Sequence, residues 1–307
     1  MSIFDMFKFL IKILAFFSII FLFDRSLGYC LDYMNSHQKS NYTKDLYYGL
    51  MQSKEDILIF GSSRAMNHYV PEVLEDSLQL TSYNCGYAGE GIIFHYGRIR
   101  KIFNRYQPKL IVYDIEPSFD VAESPNERFL DRIKPNANDS CVSNYIKEFS
   151  NNEYLKTFSR LYCYNALFYD IIKGYFTISD LSQKGYVPLF GSDVRNAASA
   201  GLNSTTDTLK IKTIEKLIQL CNQRKVPLVF FSSPRYGWTT SEELVVVKDI
   251  CKRSGTPYYD FYSNNDMTCV DSLFFTSGHL NDIGARVYTS RIVPQIRKHL
   301  RKEDNNG

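Results

Sequence analysis

Short apolar runs alternate with helical patterns over most of this chain, and no other feature of the sequence limits its fold as strongly. The runs predict strands, because each is short, rich in β-branched and aromatic residues, and ends near Gly, Pro or Ser. Between them, apolar residues recur three and four positions apart, as in helices. The predicted strands cover residues 57–60, a short segment from Thr81, 109–115, 226–231 and 257–261, and the predicted helices 72–80, 92–105, 208–224, 242–253 and 280–300.

Strands that alternate with helices form parallel sheets, because each crossover returns the chain to the same edge of the sheet. The sequence therefore predicts an α/β fold with a doubly wound parallel sheet of about five strands, within a domain that covers residues 56–303. Residues 119–207 interrupt the alternation with prolines, an Asn-rich run and aromatic clusters. We expect an irregular, partly helical insertion there, of the kind that often acts as a lid.

The N-terminus predicts a membrane anchor. Residues 7–23 are apolar apart from two lysines and a serine, and the charged pair Asp24-Arg25 ends the run. The lysine stems can reach toward a headgroup region, which extends the usable length of the span. We expect residues 1–31 to form an uncleaved transmembrane signal anchor with the globular part outside the cytoplasm. Residues 32–55 are expected to form a stalk or linker, or a first helix that leads to the domain. A cleaved signal peptide and a buried helix remain open as alternatives.

Composition argues against several classes of function. The net charge of +3 is spread along the chain, and no run of Lys and Arg is dense enough to indicate nucleic-acid binding. None of the seven cysteines lies in a C-x-x-C motif, so we expect no metal site and no redox motif. Cys141 and Cys163 share the insertion and could form a disulfide in an exported domain. The phosphate-binding motif G-x-x-x-x-G-K-[ST] is absent, and no cofactor is predicted.

A hydroxyl group is predicted at the carboxyl edge of the sheet. The first strand runs directly into Gly61-Ser62-Ser63-Arg64, and open α/β sheets bind ligands at that edge. A serine becomes a nucleophile when a base takes its proton, and His is the usual base near neutral pH. Of the five histidines, His279 has the most suggestive position, in a predicted loop before the last helix. The alternatives are a helix-capping serine and a surface histidine.

Three blocks of this sequence resemble those of the SGNH (GDSL-type) hydrolase superfamily. The resemblance covers residues 56–299 apart from the insertion. It implies the same α/β fold, with a flavodoxin-like sheet. The blocks are Gly61-Ser62-Ser63 after the first strand, Asn84-x-Gly86-x-x-Gly89 after the second, and His279-Leu280-Asn281 before the last helix.

The resemblance also implies roles for individual residues. Ser63 corresponds to the nucleophile, His279 to its base, and Gly89 to a backbone donor of the oxyanion hole. Ser118 stands where the family has an oxyanion-donating Asn, and Thr276 stands where it has the Asp that orients the imidazole. Ser118 is therefore expected to be a shorter donor and Thr276 an uncharged orienting residue. Loss of an orienting carboxylate can cost on the order of 10⁴ in rate.

Other charged residues lie near the same edge. Asp271 and Asp282 are alternative orienting acids for the imidazole. Arg64 and Arg235 each follow a predicted strand and would either bind an anionic sugar, phosphate or carboxylate, or form salt bridges.

A membrane-anchored member of this superfamily that faces outward resembles the acyl-handling proteins of bacterial envelope polysaccharide pathways. The resemblance implies a serine-dependent acyl-ester hydrolase or O-acetyltransferase with a Ser63-His279 dyad. Its substrate would be an acylated glycan or a small acyl ester. The departures at Ser118 and Thr276 leave a second hypothesis open, a catalytically degenerate SGNH-like domain that serves in glycan binding or envelope polysaccharide assembly.

Overall fold

The computed structural model describes residues 3–178, 181–194, 205–263 and 265–300. The chain divides into two compact units. The helical unit comprises Met1–Lys44 and Leu130–Ser179, and the sheet unit comprises Asp45–Phe129 and Asp180–Gly307. The predicted insertion at 119–207 is therefore not one structural element. Its central part belongs with the N-terminal helix, and its two ends belong to the sheet unit.

Five parallel strands form the central sheet, which confirms the predicted α/β class with an all-parallel sheet. They lie in the order β2-β1-β3-β4-β5. From β1 the chain runs to β2 on one side and then crosses back to β3 on the other side of β1. Ligands of such sheets bind beside the carboxyl ends of the strands where the direction of winding reverses. The strands are β1 (Ile57–Gly61), β2 (Ser82–Asn84), β3 (Leu110–Asp114), β4 (Leu228–Ser232) and β5 (Tyr258–Asp260), followed by an antiparallel hairpin of β6 (Phe274–Thr276) and β7 (His279–Leu280).

The helices predicted between the strands are present, each within a few residues of its expected bounds. One short helix at the end of β1 was not predicted. In the described ranges the α-helices are α1 (Ile3–Ser36), α2 (Asn41–Met51), α3 (Ser63–His68), α4 (Pro71–Leu78), α5 (Ile92–Phe103), α6 (Pro117–Asp120), α7 (Ser140–Phe149), α8 (Asn151–Lys156), α9 (Arg160–Tyr164), α10 (Phe168–Phe176), α11 (Thr208–Arg224), α12 (Val245–Ser254) and α13 (Asp282–Leu300).

Both faces of the sheet are covered, so its inner strands are buried along their whole length. Ile57 and Ile59 of β1 face a core built with α3, α4 and α13. Phe60 faces the other side, where its ring packs against His95 of α5. This burial on both sides explains why the strands are continuous apolar runs and do not alternate in polarity.

The helical unit is organised along α1. This helix is long and apolar enough to cross a membrane, by length and composition, and none of its apolar window is buried within the described structure. It continues past the apolar run to Ser36, where a stalk or a first helix was expected from residue 32. Asp24 accepts hydrogen bonds from the Ser159 hydroxyl at 2.6 Å and the Arg160 and Leu161 N–H groups at 2.9 and 3.1 Å.

Of the two alternatives for residues 32–55, a stalk and a first helix, the structure has helices. The first residues of this range complete α1 and most of the remainder forms α2. The disulfide considered for Cys141 and Cys163 is not formed, and none of the seven cysteines, all of them in the described ranges, belongs to a disulfide.

Candidate active site

Ser63 is placed by a tight turn at the end of β1. Gly61 has a φ of +136°, and a Cβ there would lie 2.6 Å from the Asp114 carbonyl oxygen, so only glycine fits beside β3. Ser62 caps α3, because its hydroxyl accepts a hydrogen bond from the Arg64 N–H at 3.3 Å. The capping role considered for Ser63 thus belongs to Ser62. Ser63 is the first helical residue, and its hydroxyl is directed to another partner.

That partner is His279. The Ser63 hydroxyl lies 2.8 Å from His279 Nε2, across 216 positions of sequence. On the other side of the ring, Nδ1 lies 3.2 Å from the Thr276 hydroxyl. Thr276 and His279 are directly opposite each other in the β6–β7 hairpin, which places their side chains on one face. The structure therefore brings all three sequence-predicted residues together in one line of hydrogen bonds.

The acids considered as alternative orienting groups make other contacts. Asp271 accepts a hydrogen bond from the Tyr236 hydroxyl at 2.7 Å. Asp282 accepts from the Tyr186 hydroxyl at 2.9 Å and pairs with Arg286. Thr276 is thus the group behind the imidazole.

The surroundings of His279 favour the neutral imidazole. Burial and the positive charges of Arg64 and Arg235 lower the pKa of His279 to about 4, although the Glu116 carboxylate opposes this shift. At neutral pH the ring is therefore uncharged and able to accept a proton at Nε2. The same charges disfavour the imidazolium that would form during proton transfer.

Arg64 is a buried structural cation. It is 3% exposed, and its Nη1 lies 3.1 Å from Glu116 Oε2. Its other nitrogens donate to the Ser233 carbonyl and hydroxyl oxygens. The prediction that Arg64 binds substrate is not supported by this placement, because the carboxylate of Glu116 compensates its charge within the protein.

A second histidine joins the elements that carry Ser63 and His279. His68, at the end of α3, accepts a hydrogen bond at Nε2 from the Leu280 N–H at 2.9 Å. Its Nδ1 must then carry the proton and donate to the Ser233 hydroxyl at 2.8 Å. Ser233 in turn donates to Asp114 at 3.0 Å. His68 therefore ties α3 to β7 beside the proposed base.

Burial sets the charges of this chain of hydrogen bonds. Burial lowers the pKa of His68 well below its usual value, and the positive charge of Arg64 lowers it further. Burial also raises the pKa of Asp114 to about 6, against the opposing effect of Arg64. His68 is accordingly neutral, which agrees with its role as an acceptor from a backbone N–H.

The predicted oxyanion donors have different surroundings. Gly89 has a φ of +76° and follows Ala88 in a turn closed by the Glu90 N–H on the Tyr87 carbonyl at 3.2 Å. Within the described part of the chain its own N–H has no hydrogen-bond partner. The Ser118 hydroxyl donates to Glu116 Oε1 at 3.1 Å, so its proton is already engaged.

Asn84 and Gly86 hold the loop that carries Gly89 against α3. The Asn84 amide donates to the carbonyl oxygens of Ala65 and Tyr69, each at 2.8 Å, and accepts from the Gly86 N–H at 2.9 Å. A Cβ on Gly86 would lie 2.5 Å from the Met66 nitrogen. Both residues of this sequence block thus have a clear structural function.

Arg235 lies on the same side of the site, after β4. Its Nη1 donates to the Tyr262 hydroxyl at 2.7 Å, and its guanidinium stacks on Trp238 with a centroid distance of 4.3 Å. It is half-buried, in contrast with Arg64.

Sequence reasoning missed His68, Ser233, Asp114 and Glu116 as parts of the site. Two of them had a visible signal, because Asp114 and Glu116 are charged residues at the end of the predicted strand 109–115. Carboxylates at such positions are rarely buried without a partner, which here is Arg64. No comparable signal marks His68 or Ser233.

The chain matches no protein-family model, and no curated protein is significantly similar to it. Among the described residues, no group of three or more His, Cys, Asp or Glu side chains is arranged to hold a metal ion.

Proposed function

We propose that this protein is a serine-dependent acyl-ester hydrolase or O-acyltransferase of the SGNH type. The observation that carries the proposal is the 2.8 Å contact between the Ser63 hydroxyl and His279 Nε2 at the carboxyl edge of a parallel sheet. A neutral imidazole in hydrogen-bond contact with a serine is the arrangement that activates such a nucleophile.

The proposed reaction has two halves. His279 Nε2 takes the proton of Ser63 as Oγ attacks the ester carbonyl carbon. The N–H groups of Ser63 and Gly89 would stabilise the oxyanion, and His279 returns the proton to the leaving alcohol. Water or a sugar hydroxyl then attacks the acyl-serine with His279 again as base, which releases the acyl group to water or to the sugar.

We propose further that α1 anchors the protein in a membrane and that the sheet unit works outside the cytoplasm on acylated glycans or small acyl esters. The length and the exposed apolar surface of α1 support the anchor. Extraction of the full-length protein from membranes by alkaline carbonate without detergent would contradict it.

A second candidate function is glycan binding by a catalytically degenerate domain. Two observations favour it: a hydroxyl, not a carboxylate, contacts His279 Nδ1, and Ser118 donates to Glu116. Both weaken the stabilisation of charge in a transition state.

Hydrolysis of 4-nitrophenyl acetate by the full-length protein in detergent separates the two. We expect turnover that is lost in Ser63→Ala and His279→Ala, and covalent labelling of Ser63 by a fluorophosphonate. Turnover no higher than that of the two variants, together with no labelling, would contradict the enzymatic function and leave glycan binding as the candidate.

A further inference from the structure

Arg235 carries a positive charge that the described part of the protein does not neutralise. No carboxylate among the described residues lies within 4.0 Å of its guanidinium nitrogens. Its partners are the Tyr262 hydroxyl and the Trp238 ring, both uncharged. Nη2 donates no hydrogen bond to a described residue. Arg235 is thus held in place while its charge remains available to a ligand.

Arg64 is the natural comparison, because both guanidinium groups contact the ring of Tyr262, at 4.9 Å for Arg64 and 5.8 Å for Arg235. Arg64 is buried and paired with Glu116, with Asp114 at 4.0 Å. The two arginines therefore differ in their counter-charges: among the described residues, acids lie within 4.0 Å of Arg64 and none lies within that distance of Arg235. The unmatched charge of the site lies on Arg235.

This charge lies next to the proposed reaction centre. The Tyr236 N–H donates to the Ser277 carbonyl at 2.9 Å, which fixes the segment of Arg235 against the turn between Thr276 and His279. The guanidinium also lowers the pKa of His279, so the two groups are electrostatically close. An anionic group on a substrate bound at Ser63 would therefore be attracted to this arginine.

We propose that Arg235 binds a carboxylate on the substrate, so that the acyl groups handled by this site are carried by an acidic sugar of the uronic-acid class. This inference rests on the function proposed above. A guanidinium fork matches the two oxygens of a carboxylate. A carboxylate carries one charge, which the single unmatched arginine balances, whereas a phosphate monoester carries nearly two.

Trp238 provides a direct readout, because it is the only tryptophan of the chain and lies against the guanidinium. The experiment uses the full-length protein in detergent with Ser63→Ala, so that nothing is turned over. Three probes are titrated: methyl glucuronide, the neutral methyl ester of that compound, and glucose 6-phosphate. We expect a saturable change in Trp238 fluorescence with methyl glucuronide, and affinities lower by about tenfold or more for the other two.

Variants test the residue itself. Arg235→Gln should weaken glucuronide binding by about tenfold or more, measured by calorimetry because the substitution also alters the environment of Trp238. Arg224→Gln, which removes a positive charge near the end of α11, is the control and should leave binding unchanged. Arg235→Lys should restore binding only in part, since it keeps the charge but loses the planar pair of donors.

Several results would overturn the inference: equal affinity for the acid and its ester, tighter binding of glucose 6-phosphate, unchanged binding in Arg235→Gln, or no saturable response up to about 100 mM. Failure here and failure of the proposed function remain distinguishable. Glucuronide binding without hydrolysis of any ester would leave an acidic-glycan binding site in an inactive domain. Hydrolysis without glucuronide binding would support the proposed enzymatic function and contradict the proposal of an acidic substrate.

Discussion

The Thr276 hydroxyl lies 3.2 Å from His279 Nδ1, on the side of the ring opposite Ser63. Its oxygen can accept a hydrogen bond from Nδ1–H and so fix the tautomer in which Nε2 is free to act as a base. It carries no charge to stabilise an imidazolium, however. The site is thus arranged geometrically for proton transfer but lacks part of the electrostatic support that a carboxylate would give.

Thr276→Asp should raise activity. A carboxylate opposite His279 would stabilise the imidazolium. In a triad the orienting carboxylate contributes on the order of 10⁴ in rate, which is the upper limit for the gain in kcat here. We expect an increase in kcat for 4-nitrophenyl acetate of about tenfold or more and a higher pKa of His279. Thr276→Val is the control and should lower kcat, because the ring loses its orienting acceptor. Equal rates in both variants would show that Nδ1 has no role.

The acid limb of activity should lie near pH 4. His279 acts as a base only when neutral, and its pKa is lowered to about 4, so kcat/KM should be level through neutral pH and fall as the pH drops through that value. Because the pKa of His279 is lower in the folded protein, the free energy of unfolding decreases as the pH falls below about 6.5, where His279 of the unfolded chain becomes protonated. Circular dichroism must therefore confirm folding at each pH. A limb near pH 6.5 in folded protein would contradict the electrostatic description.

Glu116→Gln should destabilise the sheet unit. Removing one partner of a buried ion pair leaves Arg64 with less compensation and costs about 3 kcal/mol or more, which should lower Tm by several degrees. The acid limb of activity should also move lower, because the Glu116 charge raises the pKa of His279. Glu215→Gln is the control, since its pair with Arg253 is exposed and 3.7 Å long. Similar Tm values for both variants would contradict the structural role of the Arg64–Glu116 pair.

Gly89→Ala should abolish activity with a modest loss of stability. A left-handed φ of +76° costs an alanine roughly 1–2 kcal/mol, and the turn is expected to relax and move the N–H. Gly255→Ala is a matched control, because Gly255 has a φ of +70° and equally open surroundings at the end of α12. Thermal unfolding should give similar Tm losses for the two, whereas 4-nitrophenyl acetate hydrolysis should fall only in Gly89→Ala. Equal activity in both variants would contradict the proposed role of the Gly89 N–H in the oxyanion hole.

Much of the sheet unit could be predicted because each strand and helix has a recognisable pattern within its own short stretch of sequence. Strands buried on both faces are continuous apolar runs, and the helices between them show a regular period. The hairpin of β6 and β7 was predicted as a loop, since two very short strands leave no pattern. The order of the strands then brought Ser63 and His279 to the same edge.

The remainder depends on contacts between distant residues. His68 reaches the site through the backbone N–H of Leu280, a contact that its position in the sequence does not indicate. The polar residues 32–55 left a stalk and a first helix open as alternatives, and long-range contacts such as that of Arg160 with Asp32 support a continued α1. Polarity alone does not distinguish a linker from a helix that has partners on one face.

The continuity of α1 beyond Asp24 has a consequence for orientation. From Asp24 to Ser36 the helix rises about 18 Å without a break. If α1 spans a membrane, the helical unit would follow its tilt and rotation as part of one rod, and would not sample a wide range of directions as on a flexible tether. One residue added within the apolar run would turn everything on the far side by about 100° about the helix axis. The length of that run would then determine which face of the helical unit meets the lipid surface.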